Sequence, residues 1–289
     1  MLVNPYSLGS KCIVDLGIAT AVEDEEEILQ FLRSQPYIPL SNGGFGRNNL
    51  QAFLVLPDID ALTWILGEIE ANPKVTSIDS LIWADALNMD YPENLIIKPV
   101  KAKNEPHLIN LEIKRKELKL DDIDWQIAAI LVHNARMPFR QISDHVGIST
   151  KNVICRFNKL KGNVLTKSTV SIDLSKIGYT AMAHVFLKVS NRSKLYEIYN
   201  QIIQIPNLVV AIRLIGAYDI RALVAITDFE DIFELTEHFR KIKGVEKADT
   251  YLYRIFKKWP ISLFAFLITH GKIVDEFRPM PLPLDKKSK

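Results

Sequence analysis

Basic and amide side chains are concentrated in one part of the chain, between residues 136 and 167. This segment holds seven arginines and lysines and a single acid, Asp144, whereas the whole chain of 289 residues has a formal net charge of only +2. Lysine, arginine and asparagine are the side chains that bind phosphates and base edges of duplex DNA. The segment is therefore a candidate polyanion contact, and a solvated surface is the alternative that charge alone leaves open.

Three short helices are predicted around these basic residues. Asn134 and Pro138 separate the first helix from the second, and Ser149 follows a turn at Gly147, where it can cap the third helix. Each helix has one apolar face, formed by Ile123, Ile127 and Ile130, by Phe139, Ile142 and Val146, and by Val153, Phe157 and Leu160. The other face of the third helix carries Lys151, Asn152, Cys155, Arg156 and Lys159. The pattern predicts a helix-turn-helix module with a basic helix for the major groove; a purely structural three-helix spacer is the alternative.

An internal repeat lies on both sides of this module. Residues 46–83 align without a gap with residues 216–253 at an offset of 170, and the similarity extends upstream at an offset of 169. Each copy has an alternating apolar strand, an amphipathic helix, two strands joined at a glycine, a second helix and a last strand. The order βαββαβ predicts two ferredoxin-like units, each with its helices on one face of an antiparallel sheet.

The strands of the repeats carry apolar residues at both parities, so the second face of each sheet must also be covered. A partner sheet is the natural cover, and we therefore expect self-association into a homodimer or a larger homo-oligomer. Residues 1–90 have no reading module in front of them. We hypothesise that this first unit is a structural partner, which could pair with a second-repeat unit as a pseudo-dimer.

Several classes of protein are excluded by the composition. The two cysteines, Cys12 and Cys155, can form neither a disulfide scaffold nor a zinc ribbon, and the six histidines have no metal-ligand spacing. His184 lies in a strand, where we expect a partly buried histidine whose hydrogen bonds are satisfied. The sequence shows no secretion signal and no apolar run of about 20 residues, so we expect a cytoplasmic protein without a membrane partner or a cofactor.

The stretch from Leu120 to Phe256 resembles the leucine-responsive regulatory protein/AsnC family of transcription factors. The matching segments are LDDID, NAR with QISDHVGIS, RFNKL, VSIDLSKIGY and GAYD, in that order. The resemblance implies a winged helix-turn-helix reader followed by a regulatory ferredoxin-like domain, often called a RAM domain. The fold class is therefore expected to be α+β, with two ferredoxin-like domains flanking the reader. The expected units are 1–90, a linker at 91–118, the reader at 119–167, the effector domain at 168–256 and an extension at 257–289.

The resemblance also implies which residues contact DNA. Lys151, Asn152 and Cys155 are assigned to the groove, and Arg140, Arg156 and Lys159 mainly to phosphates; Ser149 and Thr150 belong to the same exposed face. Where family members commonly enter the wing with Gly-Val/Phe-Ile, this chain has Gly162-Asn163-Val164-Leu165. That departure concerns the wing and leaves the helix-turn-helix unchanged.

The family often binds an amino acid or a similar small effector between effector domains. The hairpin at Gly216, Tyr218 and Asp219 matches the family's G-x-x-D pattern, in which backbone amides and a carboxylate can bind the charged ends of an amino acid. The first repeat has Gly46 and Asn49 at the equivalent places, so the carboxylate is replaced by an amide. The alternative is a plain hairpin that needs glycine for its positive φ.

The leading interpretation is a sequence-specific DNA-binding transcriptional regulator tuned by a small effector. A second interpretation is an enzyme, because sirohaem decarboxylases share the architecture with a degenerate reader; this chain lacks their Trp-Pro-Tyr-Asn-type signature and keeps a basic recognition helix. A third is an effector-sensing interaction module that no longer reads DNA sequence.

Overall fold

The structure is a computed structural model that describes residues 1–46, 48–89, 95, 117–168, 170–255, 259 and 263–269. The side chains of residue 45 and of residues 85–89 are not part of this description. Most of the linker predicted at 91–118 and most of the extension predicted at 257–289 lie outside the described residues. The helices within the described part are too short or too polar for any of them to cross a membrane.

The first repeat folds in the order that its sequence predicts. Its elements are β1 (Cys12–Thr20), α1 (Glu25–Ser34), β2 (Leu40–Phe45), β3 (Leu50–Leu56), α2 (Ile59–Glu70) and β4 (Val75–Met89). Asp58 caps α2, because its carboxylate accepts a hydrogen bond of 2.9 Å from the backbone N–H of Ala61. The helices cover one face of the sheet and enclose a core built around Leu16, Ile28 and Ile65.

The second repeat has the same order of elements. They are β5 (Ala181–Val189), α6 (Leu195–Ile202), β6 (Leu208–Ile215), β7 (Ile220–Ile226), α7 (Glu230–Lys241) and β8 (Val245–Arg254). Its helices enclose a separate core that includes Val185, Tyr199 and Phe239. At the start of α7, Phe229 holds the cap position, while the Asp228 side chain accepts hydrogen bonds from the N–H groups of Glu230 and Asp231.

Three helices lie between the repeats, as the periodicity predicts. They are α3 (Asp122–His133), α4 (Phe139–Val146) and α5 (Thr150–Leu160). In the segment after α5, a short turn brings Leu165 into bridges with Lys161 and with Val3 near the start of the chain. A short helix, α8 (Phe266–Thr269), follows β8 and packs against α3.

The two repeats share a single closed sheet of eight strands. Within the repeats the strand orders are β4-β1-β3-β2 and β6-β7-β5-β8, and the strand pairs β2–β8 and β4–β6 join them into a barrel. All of these pairs are antiparallel. The second face of each sheet is therefore covered by the other repeat of the same chain, which agrees with the hypothesis of an internal pseudo-dimer. The expectation that a second chain must supply this cover is wrong, and self-association stays a prediction that needs other surfaces.

Glycine residues allow the repeats to approach each other at the strand junctions. Gly216, which follows β6, has φ +147°, and a Cβ added there would lie 2.9 Å from Leu81 Cδ2 and 3.0 Å from the Ser80 carbonyl oxygen. Gly46, at the equivalent place after β2, has φ +146° and would meet the ring of Tyr251. Both contacts cross from one repeat to the other, so each glycine serves backbone conformation and close packing together.

Replacing Gly216 with alanine is expected to destabilise the protein by about 2–4 kcal/mol, since the strained φ and the contact with β4 both oppose a Cβ. The measurement is the free energy of unfolding from urea denaturation. The matched control is Gly67→Ala in α2, where a Cβ meets nothing within 4 Å; it should be neutral or stabilising by about 0.4–1 kcal/mol. Equal stabilities for the two variants would contradict the assigned packing role.

Candidate nucleic-acid interface

The turn between α4 and α5 is fixed by local hydrogen bonds. Gly147 ends α4 in the left-handed region at φ +72°, and its N–H donates to the Ser143 carbonyl oxygen at 3.0 Å. The Ser149 hydroxyl caps α5 by accepting from the Asn152 N–H at 3.3 Å, and the hydroxyls of Ser143 and Thr150 lie 3.1 Å apart. These bonds hold the angle between the two helices, so the direction of α5 follows from the sequence of the turn.

The apolar face of α5 anchors it in the helical module. Val153 and Leu160 are fully buried, together with Ile127 and Ile142 of the neighbouring helices. The rings of Phe139 and Phe157 pack with their centroids 5.1 Å apart. A helix buried on one side in this way presents its opposite side in a defined orientation.

The opposite face of α5 is open to solvent at its beginning. Ser149, Lys151, Asn152 and Cys155 are exposed, as is Arg140 on α4, while Thr150 is half-buried because of its contact with Ser143. Within the described part of the chain, neither Lys151 nor Arg140 takes part in an ion pair. The structure thus brings the residues assigned to the groove, and one of those assigned to phosphates, to the surface.

Arg156 and Lys159 have partners inside the protein, and their assignment mainly to DNA phosphates stays a prediction. The Arg156 guanidinium lies 2.6 Å from Asp121 Oδ2 and 2.7 Å from Asp124 Oδ1, and Lys159 Nζ lies 2.5 Å from Asp124 Oδ2. Lys159 also donates to the Lys119 carbonyl oxygen at 3.1 Å. These two cations therefore hold α5 against the start of α3, and only part of their charge faces solvent.

The acidic partners of these cations begin α3. Asp121 and Asp124 form a reciprocal capping box, in which each side chain accepts from the other's backbone N–H. The hydrogen bond from Arg156 holds the pKa of the Asp121 carboxyl below its usual value. Asp124 is completely buried, and its carboxylate accepts from both cations. The sequence analysis missed this pairing, although the cap spacing of Asp121 and Asp124 is visible in the sequence.

The side chains predicted to bind an effector at the two hairpins are used within the fold. The Asp219 carboxylate is buried, accepts from the Val189 N–H at 3.0 Å and from Arg192 Nε at 2.8 Å, and lies 3.4 Å from Lys188 Nζ. Asn49 makes the equivalent contacts in the first repeat. Its side-chain oxygen accepts from the Thr20 N–H, and its amide nitrogen donates to the Thr20 carbonyl oxygen. Both residues hold a hairpin against the end of the first strand of their repeat, and the effector contacts expected of them stay a prediction.

Tyr218 and Asn48, which precede Asp219 and Asn49, also occupy equivalent positions in the two repeats. The Tyr218 hydroxyl donates to Asp249, and the Asn48 amide donates to Asp79 at 2.8 Å. Burial, followed by the contact with Asp249, raises the pKa of Tyr218. Gly216 and Gly46 pack against the opposite repeat, as described above. These contacts place both hairpins at the junction between the repeats.

Inside the barrel, between the strands of the two repeats, lies a buried polar cluster that sequence reasoning missed. Arg221 NH1 lies 2.6 Å from Asp15 Oδ1, and the Trp83 indole N–H donates to Asp15 Oδ2 at 2.6 Å. His184 is buried, and neither of its ring nitrogens has a hydrogen-bond partner among the described residues. The expectation of a satisfied histidine is therefore wrong. The signal in the sequence was the repeat itself, since Asp15 and His184 are equivalent positions of two otherwise apolar strands.

The three-helix module matches a known family of domains. Residues 120–161 match the AsnC-type helix-turn-helix domain. An uncharacterised HTH-type transcriptional regulator of Pyrococcus horikoshii is 27% identical over 146 residues, which are 50% of this chain and 92% of the relative. The HTH-type transcriptional regulator FL11 of Pyrococcus furiosus is 27% identical over 134 residues, covering 46% of this chain and 88% of the relative. The chain thus contains an AsnC-type reader, and its homologues are transcriptional regulators of the AsnC/Lrp type.

A solved structure matches nearly the whole chain. The sirohaem decarboxylase NirDL has a TM-score of 0.61 at 15% sequence identity, with 95% of this chain and 82% of that chain covered. At this identity the likeness shows a shared fold. It concerns both repeats, whereas the similarity to the curated regulators concerns about half of the chain.

Replacing Asp124 with asparagine should destabilise the protein by about 1–3 kcal/mol, since the buried carboxylate is the common partner of Arg156 and Lys159. Thermal and urea unfolding measure this change. Asp122→Asn is the matched control, because Asp122 lies exposed in the same first turn of α3 and should change stability by less than about 0.5 kcal/mol. A loss of the same size in both variants would point to the helix terminus alone.

Proposed function

We propose that the chain is a sequence-specific DNA-binding transcriptional regulator, and not an enzyme, with α5 as its recognition helix. One observation carries the proposal: α5 exposes Lys151, Asn152 and Cys155 on a helix whose opposite face is fixed in a core. A lone helix of this kind fits the major groove, where ammonium and amide groups can bind base edges and phosphates. The relatives named above support this assignment.

The basic residues of the reader divide into two groups under this proposal. Lys151 and Asn152 contact the DNA through the groove, and Arg140 contacts the backbone from α4. Arg156 and Lys159 act as positioning residues, because their ion pairs with Asp121 and Asp124 set the orientation of α5. The part of their positive charge that faces solvent adds to the electrostatic field at the DNA interface. A direct contact of these two side chains with DNA is not required.

We further propose that the two repeats are ferredoxin-like effector-type domains that flank a winged helix-turn-helix reader. The element order and the internal pairing of the sheets support this arrangement. Both repeats belong to one closed sheet within the chain. Each chain therefore has one helix-turn-helix reader and one pair of repeat domains. Two readers on a pseudo-palindromic operator then require two chains, and a small effector such as an amino acid would change DNA affinity by linkage.

Replacing Arg140 with alanine should weaken DNA binding similarly across sequences and reduce the slope of log K against log salt by about 1 for each chain bound, because one phosphate-neutralising charge is lost. Asn152→Ala should instead change the order of preference among operator variants, by about 1–3 kcal/mol at one base pair. Both effects are measured by fluorescence anisotropy over a salt series, with DNA obtained by genome-wide selection with the purified protein.

Two further variants make this test specific. Lys243→Ala removes an exposed lysine of the second repeat and should leave the affinity and the salt slope unchanged. Arg156→Ala should lower stability more than it lowers the salt slope, since its partners are Asp121 and Asp124. Unselective binding by the parent protein, with the same affinity for every sequence, would refute sequence reading by α5.

Native mass spectrometry at micromolar concentration should show a dimer or a larger assembly of this chain. The physical reason is that a single chain carries one reader, so recognition of two half-sites needs at least two chains. The same measurement with a DNA half-site and with a full site should give one and two chains bound. A strict monomer on a full site would contradict the two-reader arrangement.

A further inference from the structure

A cavity lies inside the barrel, between the strands of the two repeats, next to the polar cluster of Asp15, Arg221 and Trp83. The empty space in it amounts to about 690 Å³ when the adjoining open solvent is counted with it. Aromatic and aliphatic side chains from both repeats form most of its wall, among them Phe53, Trp83, Leu223 and Tyr253. Trp259 and Leu263, which follow β8, close one side. The cavity is therefore a largely apolar space with aromatic side chains in its wall and a polar end.

The polar end has unused hydrogen-bonding capacity. Both nitrogens of His184 and the Nε of Arg221 are buried without a hydrogen-bond partner among the described residues. A buried polar group without a partner costs roughly 1–3 kcal/mol, and such groups in native proteins call for an explanation by a bound water or ligand. The three atoms offer one N–H of the guanidinium, one N–H of a neutral imidazole and one imidazole acceptor.

The charges around the cavity balance without a ligand. Asp15 and Arg221 form an ion pair, and the Trp83 indole also donates to the Asp15 carboxylate. Burial, together with the charge of Arg221, lowers the pKa of His184 well below its usual value, so the imidazole is neutral at pH 7. An ion brought into these apolar walls would lack a counter-charge and would pay its desolvation penalty uncompensated. A neutral molecule has no such cost.

We propose that this cavity is a binding site for a small, neutral, flat heteroaromatic molecule with an amide-type edge, such as a purine or pyrimidine base or an aromatic carboxamide. The ring packs against the aromatic side chains of the wall, and its edge accepts from the Nε–H of Arg221 and donates to the unprotonated ring nitrogen of His184. Ring stacking on such walls is favourable beyond the apolar area that it buries. The site differs from the predicted hairpin site at Gly216 to Asp219, and it does not depend on whether the protein binds DNA.

Matched pairs of neutral and anionic probes test the proposal on the full chain without DNA. Isothermal titration calorimetry should show that nicotinamide and benzamide bind at least 10-fold more tightly than nicotinate and benzoate, and that hypoxanthine and uracil bind as the amides do. The side-chain signals of His184, assigned by comparison with His184→Phe, should shift in the NMR spectrum on addition of the neutral probe.

Variants locate the site. His184→Phe keeps a ring of similar size without its nitrogens and should weaken binding of the neutral probes at least 10-fold, and Leu223→Trp should abolish binding by filling the cavity. Gly67→Ala in α2 is the control that should bind as the parent does. Melting curves establish that each variant folds; if His184→Phe does not fold, the loss of binding in Leu223→Trp and the preference of the parent for neutral over anionic probes decide the question.

Four results would overturn the proposal. They are preference for the acids, binding that survives both cavity variants, binding only of a large tetrapyrrole such as sirohaem, and no binding of any neutral probe at millimolar concentration with unshifted His184 signals. The last result would mean that the cavity holds solvent only. None of them bears on the recognition helix, so failure here and failure of DNA reading are distinguishable.

Discussion

The closure of eight strands into one sheet is the constraint on which the rest of the molecule depends. Because β2 pairs with β8 and β4 pairs with β6, the inner faces of both repeats are buried within one chain. The hairpins after β2 and β6 must then approach the opposite repeat, which is why Gly46 and Gly216 have no room for a side chain. The reader is attached between the two halves of this closed unit, so each chain presents a single α5.

Internal pairing also lets equivalent positions diverge. Asp15 and His184 correspond in the alignment of the repeats, as do Gln51 and Arg221, and both pairs face the space between the sheets. In a symmetric pairing of two second repeats, His184 of the other copy would stand where Asp15 stands, so Arg221 would lose its acidic partner, and a buried charge without a partner is costly. The ion pair of Asp15 with Arg221 therefore favours the pairing of unlike repeats over the pairing of like ones.

Much of the fold could be predicted from the sequence, because periodicity and the repeat are local signals. The βαββαβ order, the three helices of the reader and the exposed face with Lys151 and Asn152 followed from spacing alone. Spacing indicates which face a residue occupies but not what lies opposite. For that reason the partners of Arg156 were missed, and so were the roles of Asp219 and His184, whose surroundings come from distant parts of the chain.

The cavity and the reader are connected by a continuous set of contacts through the end of the chain. Trp259 and Leu263 line the cavity, α8 packs against α3, and α3 holds α5 through the carboxylate of Asp124. Contact alone does not produce coupling; the occupied and empty cavity must favour different positions of α8. If they do, a ligand that raises DNA affinity by some factor must itself bind more tightly to the DNA complex by the same factor, because linkage is reciprocal. Because Asp124 also holds α5 in place through Arg156 and Lys159, the Asp124→Asn variant would change DNA binding and this coupling together.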